Sequence, residues 1–151
     1  MSIYHLAQLN IATLRVPTTD PMIADFMTLL DHVNALAEQT PGFVWRFKTE
    51  GGSAVDAQFF ENPLVIINFS VWETIDALFA FTYNNPDHLG VFRRRLEWFE
   101  KHEAPSLVMW WIPAGTTPTV EEGKKRLALL REKGTTADAF TFKQRFPPPA
   151  P

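Results

Sequence analysis

The order of apolar patterns predicts an α+β domain: an antiparallel sheet on the split βαβ plan, with helices on one side and an additional helix near the C-terminus. Three observations carry this. Short runs at Ile3 to Leu14, Phe43 to Lys48, Leu64 to Phe69 and Leu107 to Ile112 read as four strands. Between the first and second, and between the third and fourth, apolar residues recur at helical spacing. After the fourth strand, Thr119-Val120-Glu121-Glu122 has the form of a capping box that opens one more helix. At 151 residues the chain suits a single domain. That domain is expected over residues 1–146, with the Pro-rich residues 147–151 a disordered tail.

In the first strand, strict alternation puts His5, Ala7, Leu9 and Ile11 on one face and Tyr4, Leu6, Gln8 and Asn10 on the other. Asp20-Pro21 then reads as a helix cap followed by a first helical residue. Ile23, Phe26, Met27, Leu30, Val33, Asn34 and Ala37 form the stripe of that helix, which Thr40-Pro41-Gly42 closes. The second strand alternates Phe43, Trp45 and Phe47 against Val44, Arg46 and Lys48. Thr49 to Pro63 is long for a connection, so a lid or a short extra strand around Ala57 to Phe60 is expected there.

Ser70 to Glu73 reads as a capping box, and its helix carries Ile75, Leu78 and Phe79. Asn85-Pro86 restarts a helix that is expected to reach about Glu103, with Leu89, Phe92, Leu96 and Phe99 on its buried face. Pro105 ends it. In the fourth strand Trp110 and Trp111 point opposite ways, which makes it apolar on both faces. Gly134 stops the last helix, and Phe140 to Phe146 offers a short terminal strand. Since three of the four strands are apolar on both faces, the sheet face without helices is expected to pack on a second copy of the chain, the alternative being a monomeric sandwich in which a terminal helix covers that face.

Composition excludes several classes. The formal charge of -3 leaves no electrostatic footprint for nucleic acid or an anionic membrane, and the Arg93 to Arg95 triplet is diluted by Glu97 and Glu100. With no cysteine, thiol chemistry and thiolate metal sites are absent, and a cytoplasmic location is expected. The N-terminus does not read as a signal peptide, and no apolar run approaches the ~20 residues that span a bilayer.

Four polar or aromatic residues border the apolar surfaces of the strands: Asn10, Arg46, Asn68 and Trp110. A few polar groups converging in an apolar setting are the usual make-up of a small-molecule site, and interface hydrogen bonds are the structural alternative. His88, third in its helix, lies beside unpaired amides whose positive end favours neutral imidazole. Near Tyr83 and Trp72 it is a candidate general base for a phenol or enol, or an axial haem ligand. Arg95 is a candidate partner for a substrate carboxylate. His88 and His102 are fourteen residues apart, about 21 Å along a continuous helix, and no metal site is expected from them.

The motifs F-T-Y-N-N-P-D-H, then F-R-R-R-L-E-W-F-E-K, then L-V-M-W-W-I-P resemble a family known only as a domain of unknown function. That family lies within the dimeric α/β-barrel superfamily, which includes antibiotic-biosynthesis-monooxygenase-like proteins. The resemblance covers roughly Ile3 to Pro113 and extends to the following helix. It implies a ferredoxin-like subunit that pairs sheet to sheet with its twin into a dimeric α/β barrel. It also implies room for a small aromatic or haem-like ligand between sheet and helices, and in some members oxidation of polyphenols by oxygen without a cofactor. Two functions follow as expectations. In one, a monooxygenase-like enzyme uses His88 as proton acceptor, Arg46 or Asn68 as anion partner, and Trp72 and Trp110 as walls. The other is a non-catalytic homodimer that binds a hydrophobic ligand or serves as a scaffold.

Overall fold

A computed structural model describes residues 3–48 and 58–150. Strands β1 (Tyr4–Thr13), β2 (Phe43–Arg46), β3 (Val65–Trp72) and β4 (Leu107–Pro113) form one antiparallel sheet in the order β2-β3-β1-β4. Asp20 accepts from the Met22 amide and starts a 3-10 turn, Pro21–Ile23, which leads into α1 (Ala24–Gln39). Helix α2 (Ile75–Phe79) runs into a π-helical turn, Ala80–Asn84, and then into α3 (Pro86–Arg93) and α4 (Arg95–Trp98). Helix α5 (Val120–Lys133) follows β4, with Thr119 accepting from the Glu122 amide and Gly134 stopping it at φ 76°. This is a ferredoxin-like arrangement with one extra helix.

The sheet is open and does not close into a barrel. Its second face, expected to lie against another copy, is covered by α5 of the same chain. Val120, Leu127 and Leu130 pack there with Ala7, Leu9, Phe69, Val108 and Trp110. Gly123 permits the close approach: a Cβ at that position would stand 3.1 Å from Leu9 and 3.4 Å from Trp110. The expectation of a dimeric α/β barrel is therefore corrected, and with it goes the physical reason for requiring a twin subunit. An apolar face buried by a helix of its own chain has no further surface to hide.

The opposite face, the α1 face, meets two apolar clusters. At one end Leu6, Trp72 and Met109 pack with Val33, Ala37, Leu78, Phe81 and Phe140. At the other, Ile66 packs with Leu14, Ile23, Phe26 and Trp98. Helix α1 contributes to both clusters, Phe26 to one and Val33 and Ala37 to the other.

Several local expectations also change. Ser70 does not cap a helix, because β3 continues through Trp72 and Thr74 is the residue that accepts from the Ala77 amide. The helix begun by Asn85 breaks at Arg94 and ends at Trp98, where Phe99 turns extended and bridges Leu14. In β2 the register shifts between Phe43 and Trp45, so Phe43 joins Trp72 on the α1 face while Trp45 joins the α5 face. One extra residue in a strand reverses the face of all that follow it, which also brings Arg46 to the α1 face opposite Ser70. Phe140 to Phe146 is not a strand; Phe140 makes one bridge to Met109, and the segment packs through its aromatic rings. The extra strand placed around Ala57 to Phe60 is not seen in Gln58 to Phe60, and Ala57 lies outside the described residues.

Candidate functional site

Between the two apolar clusters the α1 face is polar. The register sets Asn10 directly opposite Asn68, and Gln8 opposite Ser70, with Arg46 opposite Ser70 on its other side. These five side chains come from three adjacent strands, so the sheet itself positions them. Gln8 and Ser70 are buried at 4% and 7% exposure, whereas Asn10 and Asn68 are exposed although they lie within the sheet. The layer over the sheet is therefore open above the asparagine pair.

The buried members hold one another. Gln8 Nε2 donates to Asn68 Oδ1 and to Ser70 Oγ, both at 2.7 Å. Trp72 Nε1 donates to the same Ser70 Oγ at 2.9 Å. Ser70 is thus the shared acceptor that fixes Gln8 and the Trp72 indole. Asn68 Nδ2 and the whole Asn10 side-chain amide have no partner among the described residues. On α1, Asn34 is buried and its side-chain amide likewise bonds nothing among the described residues. Arg46 Nε donates to Glu38 Oε1 of α1 at 2.7 Å, with the arginine side chain 14% and the glutamate side chain 41% exposed. What remains for a ligand is a set of uncharged donors and acceptors on a rigid floor.

The other expected residues are dispersed. Trp110 is fully buried on the opposite face beneath α5, and its Nε1 has no hydrogen-bond partner among the described residues. Trp72 is buried, stacked on Phe81 at 5.5 Å, and closes one end of the polar row. His88 lies beyond Phe81, whose ring centre is 5.0 Å from the imidazole. Tyr83 belongs to a separate aromatic group with Phe79 at 4.8 Å and Phe142 at 5.6 Å. Arg95 is exposed, donates to the Phe92 carbonyl at 2.9 Å and lies over the Phe92 ring. Of the residues expected at a site, Asn10, Asn68, Arg46 and Trp72 come together and Trp110, Tyr83 and Arg95 do not.

At the start of α3, Asn85 accepts from the Asp87 and His88 amides, which sets His88 in the first turn. The His88 Nδ1 then lies 2.8 Å from the Thr82 carbonyl in the π-helical turn. A carbonyl only accepts, so Nδ1 carries the proton and neutral imidazole keeps its lone pair on Nε2. Burial pushes the pKa below the ordinary 6.5, and the bond to Thr82 opposes this only in part.

This donor set does not suit haem. The propionates of a haem call for cations, and the arginine of the polar row is already held by Glu38. For metal ions, no group of three or more His, Cys, Asp or Glu residues is clustered among the described residues. His102 faces Thr13 Oγ1 at 3.0 Å and His32 faces Asp87 at 3.7 Å, so each of these histidines has a neighbour of its own. An open groove of about 510 Å³ runs beside α5 and is lined by Phe60, Lys124, Leu127, Ala128, Arg131 and Glu132. Its two cations already donate to the Phe59 and Pro105 carbonyls, at 2.7 and 2.8 Å. The asparagine opening is the better candidate, since the Asn10 amide and Asn68 Nδ2 have no partner among the described residues while Gln8 and Ser70 beside them are buried.

Gln8, Ser70 and Glu38 are the members that sequence reading did not select. Polar residues at every second position, Gln8 and Asn10 in one strand and Asn68 and Ser70 in another, are a visible signal for one polar face. Asn34 interrupts an apolar helical stripe. Nothing local marks Glu38.

The comparisons with known proteins bear on the same fold. Residues 5–151 match the family described as a domain of unknown function, DUF3291. This chain belongs to the DUF3291 family. Among curated proteins none matches the DUF3291 chain. A conserved protein from Methanosarcina mazei Go1 is similar in structure at TM-score 0.53 and 12% identity, over 74% of this chain and 93% of that one. A protein from Pseudomonas aeruginosa is similar at TM-score 0.51 and 12% identity, over 77% and 98%. SnoaB, a cofactor-independent oxygenase from Streptomyces nogalater, gives TM-score 0.49 and 16% identity over 75% and 95%. At these identities the likeness to the proteins from Methanosarcina mazei and Pseudomonas aeruginosa is one of fold alone.

Proposed function

We propose that the protein binds a small, flat, aromatic molecule in the opening over Asn10 and Asn68. The observation that carries this is two asparagines facing each other within the sheet, exposed and with unused polar atoms, above side chains already locked by Gln8 and Ser70. Amides both donate and accept, so they fit a hydroxyl or carbonyl on a ring. Apolar clusters on either side supply contact for the ring itself.

The test is titration with 1-naphthol followed by NMR shifts. Asn10→Ala and Asn68→Ala are each expected to weaken binding by about tenfold, the ~1.4 kcal/mol of one lost hydrogen bond to a ligand, with the melting temperature unchanged in Asn10→Ala and lowered in Asn68→Ala, which also takes an acceptor from the buried Gln8 amide. Equal affinity in wild type and both variants would remove the asparagines from the site.

A monooxygenase-like activity is the second reading, favoured by the neutral His88 with its free Nε2. In it the imidazole takes the phenol proton, the electron-rich anion reacts with oxygen, and one oxygen atom enters the product while the other leaves as water. Conversion of 1-naphthol and O2 to 1,4-naphthoquinone and H2O balances without any added reductant. Phe81 stands between His88 and Trp72, so binding is the primary proposal and turnover the secondary one. Oxygen uptake on adding 1-naphthol, lost in His88→Asn with affinity retained, supports turnover; its absence in wild type leaves a binding protein.

A further inference from the structure

We infer that Gln8 fixes which way the Asn68 amide faces, so that the site takes a ring oxygen able to accept a hydrogen bond and disfavours a group that can only donate. This rests on the reading of the asparagine opening as a small-molecule site. Gln8 Nε2 lies 2.7 Å from Asn68 Oδ1, 2.7 Å from Ser70 Oγ and 3.5 Å from the Asn68 backbone carbonyl. A backbone carbonyl only accepts, so the Gln8 atom that faces it is the nitrogen; turning the amide round would set two carbonyl oxygens against each other. Trp72 Nε1, which can only donate, holds Ser70 Oγ at 2.9 Å as well. Both N–H groups of Gln8 are thereby used, one on Ser70 and one on Asn68. Asn68 receives that bond with its oxygen, and Nδ2 is the end left for a ligand. Gln8 is 4% exposed whereas Asn68 is exposed, so the orienting group is buried and the oriented one is open to a ligand. Asn10, opposite Asn68, has no side-chain partner among the described residues, so its amide can turn either end to a ligand. A hydroxyl or carbonyl oxygen accepts from Asn68 Nδ2. The nitrogen of an aromatic amine, its lone pair drawn into the ring, offers that N–H almost nothing.

The probes are 1-naphthol and 1-naphthylamine, which share a ring, are close in size and are both uncharged at neutral pH. Wild type is expected to bind 1-naphthol about tenfold more tightly, the effect of leaving one ligand-facing donor unpaired. Gln8→Glu turns the orienting group into an acceptor, so Asn68 gives its N–H to the new carboxylate and presents Oδ1 outward. The preference for 1-naphthol should then vanish or reverse. Gln8→Met removes the orienting bond and lets the Asn68 amide rotate, so the preference should shrink toward parity. Loss of a purely structural support would weaken both probes alike and leave their ratio unmoved, which makes the ratio the readout. In ligand-free wild type, NMR should find the Gln8 Nε2 protons exchanging slowly with water and the Asn68 Nδ2 protons quickly. If 1-naphthol binds wild type but the two probes are equal there, or if either folded variant keeps the wild-type preference, the inference on Gln8 falls and the site reading stands. Should neither variant fold, the wild-type exchange rates decide, and fast exchange of the Gln8 protons overturns the inference. If 1-naphthol does not bind wild type, the site reading is overturned and the inference goes with it.

Discussion

His88 shows how one hydrogen bond can set a side chain's chemistry. The Thr82 carbonyl assigns the proton to Nδ1, and burial makes the charged form costly, so the imidazole stays neutral where a free histidine would be partly charged. The consequence for stability has a definite sign. The folded pKa lies below the unfolded value, so the unfolded chain takes up the proton first as pH falls and stability drops with it. His88→Asn retains a donor for Thr82 and removes the titration. Urea midpoints measured from about pH 7.5 down to about 5.5 should fall more steeply in wild type than in the variant, the other histidines cancelling in the comparison. Parallel curves would show that His88 is not buried in the neutral form.

At the scale of elements, Asn85 links a helix start to a functional side chain. Its Oδ1 accepts from two amides of the first turn, and Pro86 needs no partner for its own nitrogen. Asn85→Ala should cost about 1 kcal/mol in urea unfolding and loosen His88, visible as faster hydrogen exchange in α3. An unchanged midpoint would mean that α3 is held by Val91 packing and not by its cap. The break at Arg94 has a comparable local cause. Its guanidinium is drawn to Glu97 at 2.8 Å and Asp25 at 3.1 Å, and lies over Trp98 at 4.6 Å. These contacts tie the α3–α4 junction to α1 where a straight helix would run past it.

For the whole molecule, the two sheet faces have different tasks. One is sealed by α5 and carries stability; the other keeps an opening between two apolar clusters. Gly123 is where this division is most sensitive. Gly123→Leu should push α5 from Leu9 and Trp110 and destabilise by about 1–3 kcal/mol in urea, as overpacking of a tight contact does. Affinity for 1-naphthol should be retained, because the opening lies on the far side of the sheet. Loss of binding at unchanged stability would reverse the assignment of the faces.

The order of strands and helices, the caps at Asp20, Asn85 and Thr119, and the sharing of one face by Gln8 and Asn10 were all legible in the sequence, since each depends on residues a few positions apart. Period and capping are local properties, and a single chain displays them. The face reversal in β2, the continuation of β3 through Ser70 and the seat of α5 were not legible. Alternation counts residues but does not reveal the extra one that a bulge inserts, and a serine followed by a glutamate suits a cap until strand pairing claims it. Whether an apolar sheet face meets a second chain or a later helix of its own depends on where the chain returns, a long-range property that packing alone decides. So Asn10 and Asn68 could be named from the sequence, while their union with Arg46 and Glu38, and their separation from Trp110, came only from the folded sheet.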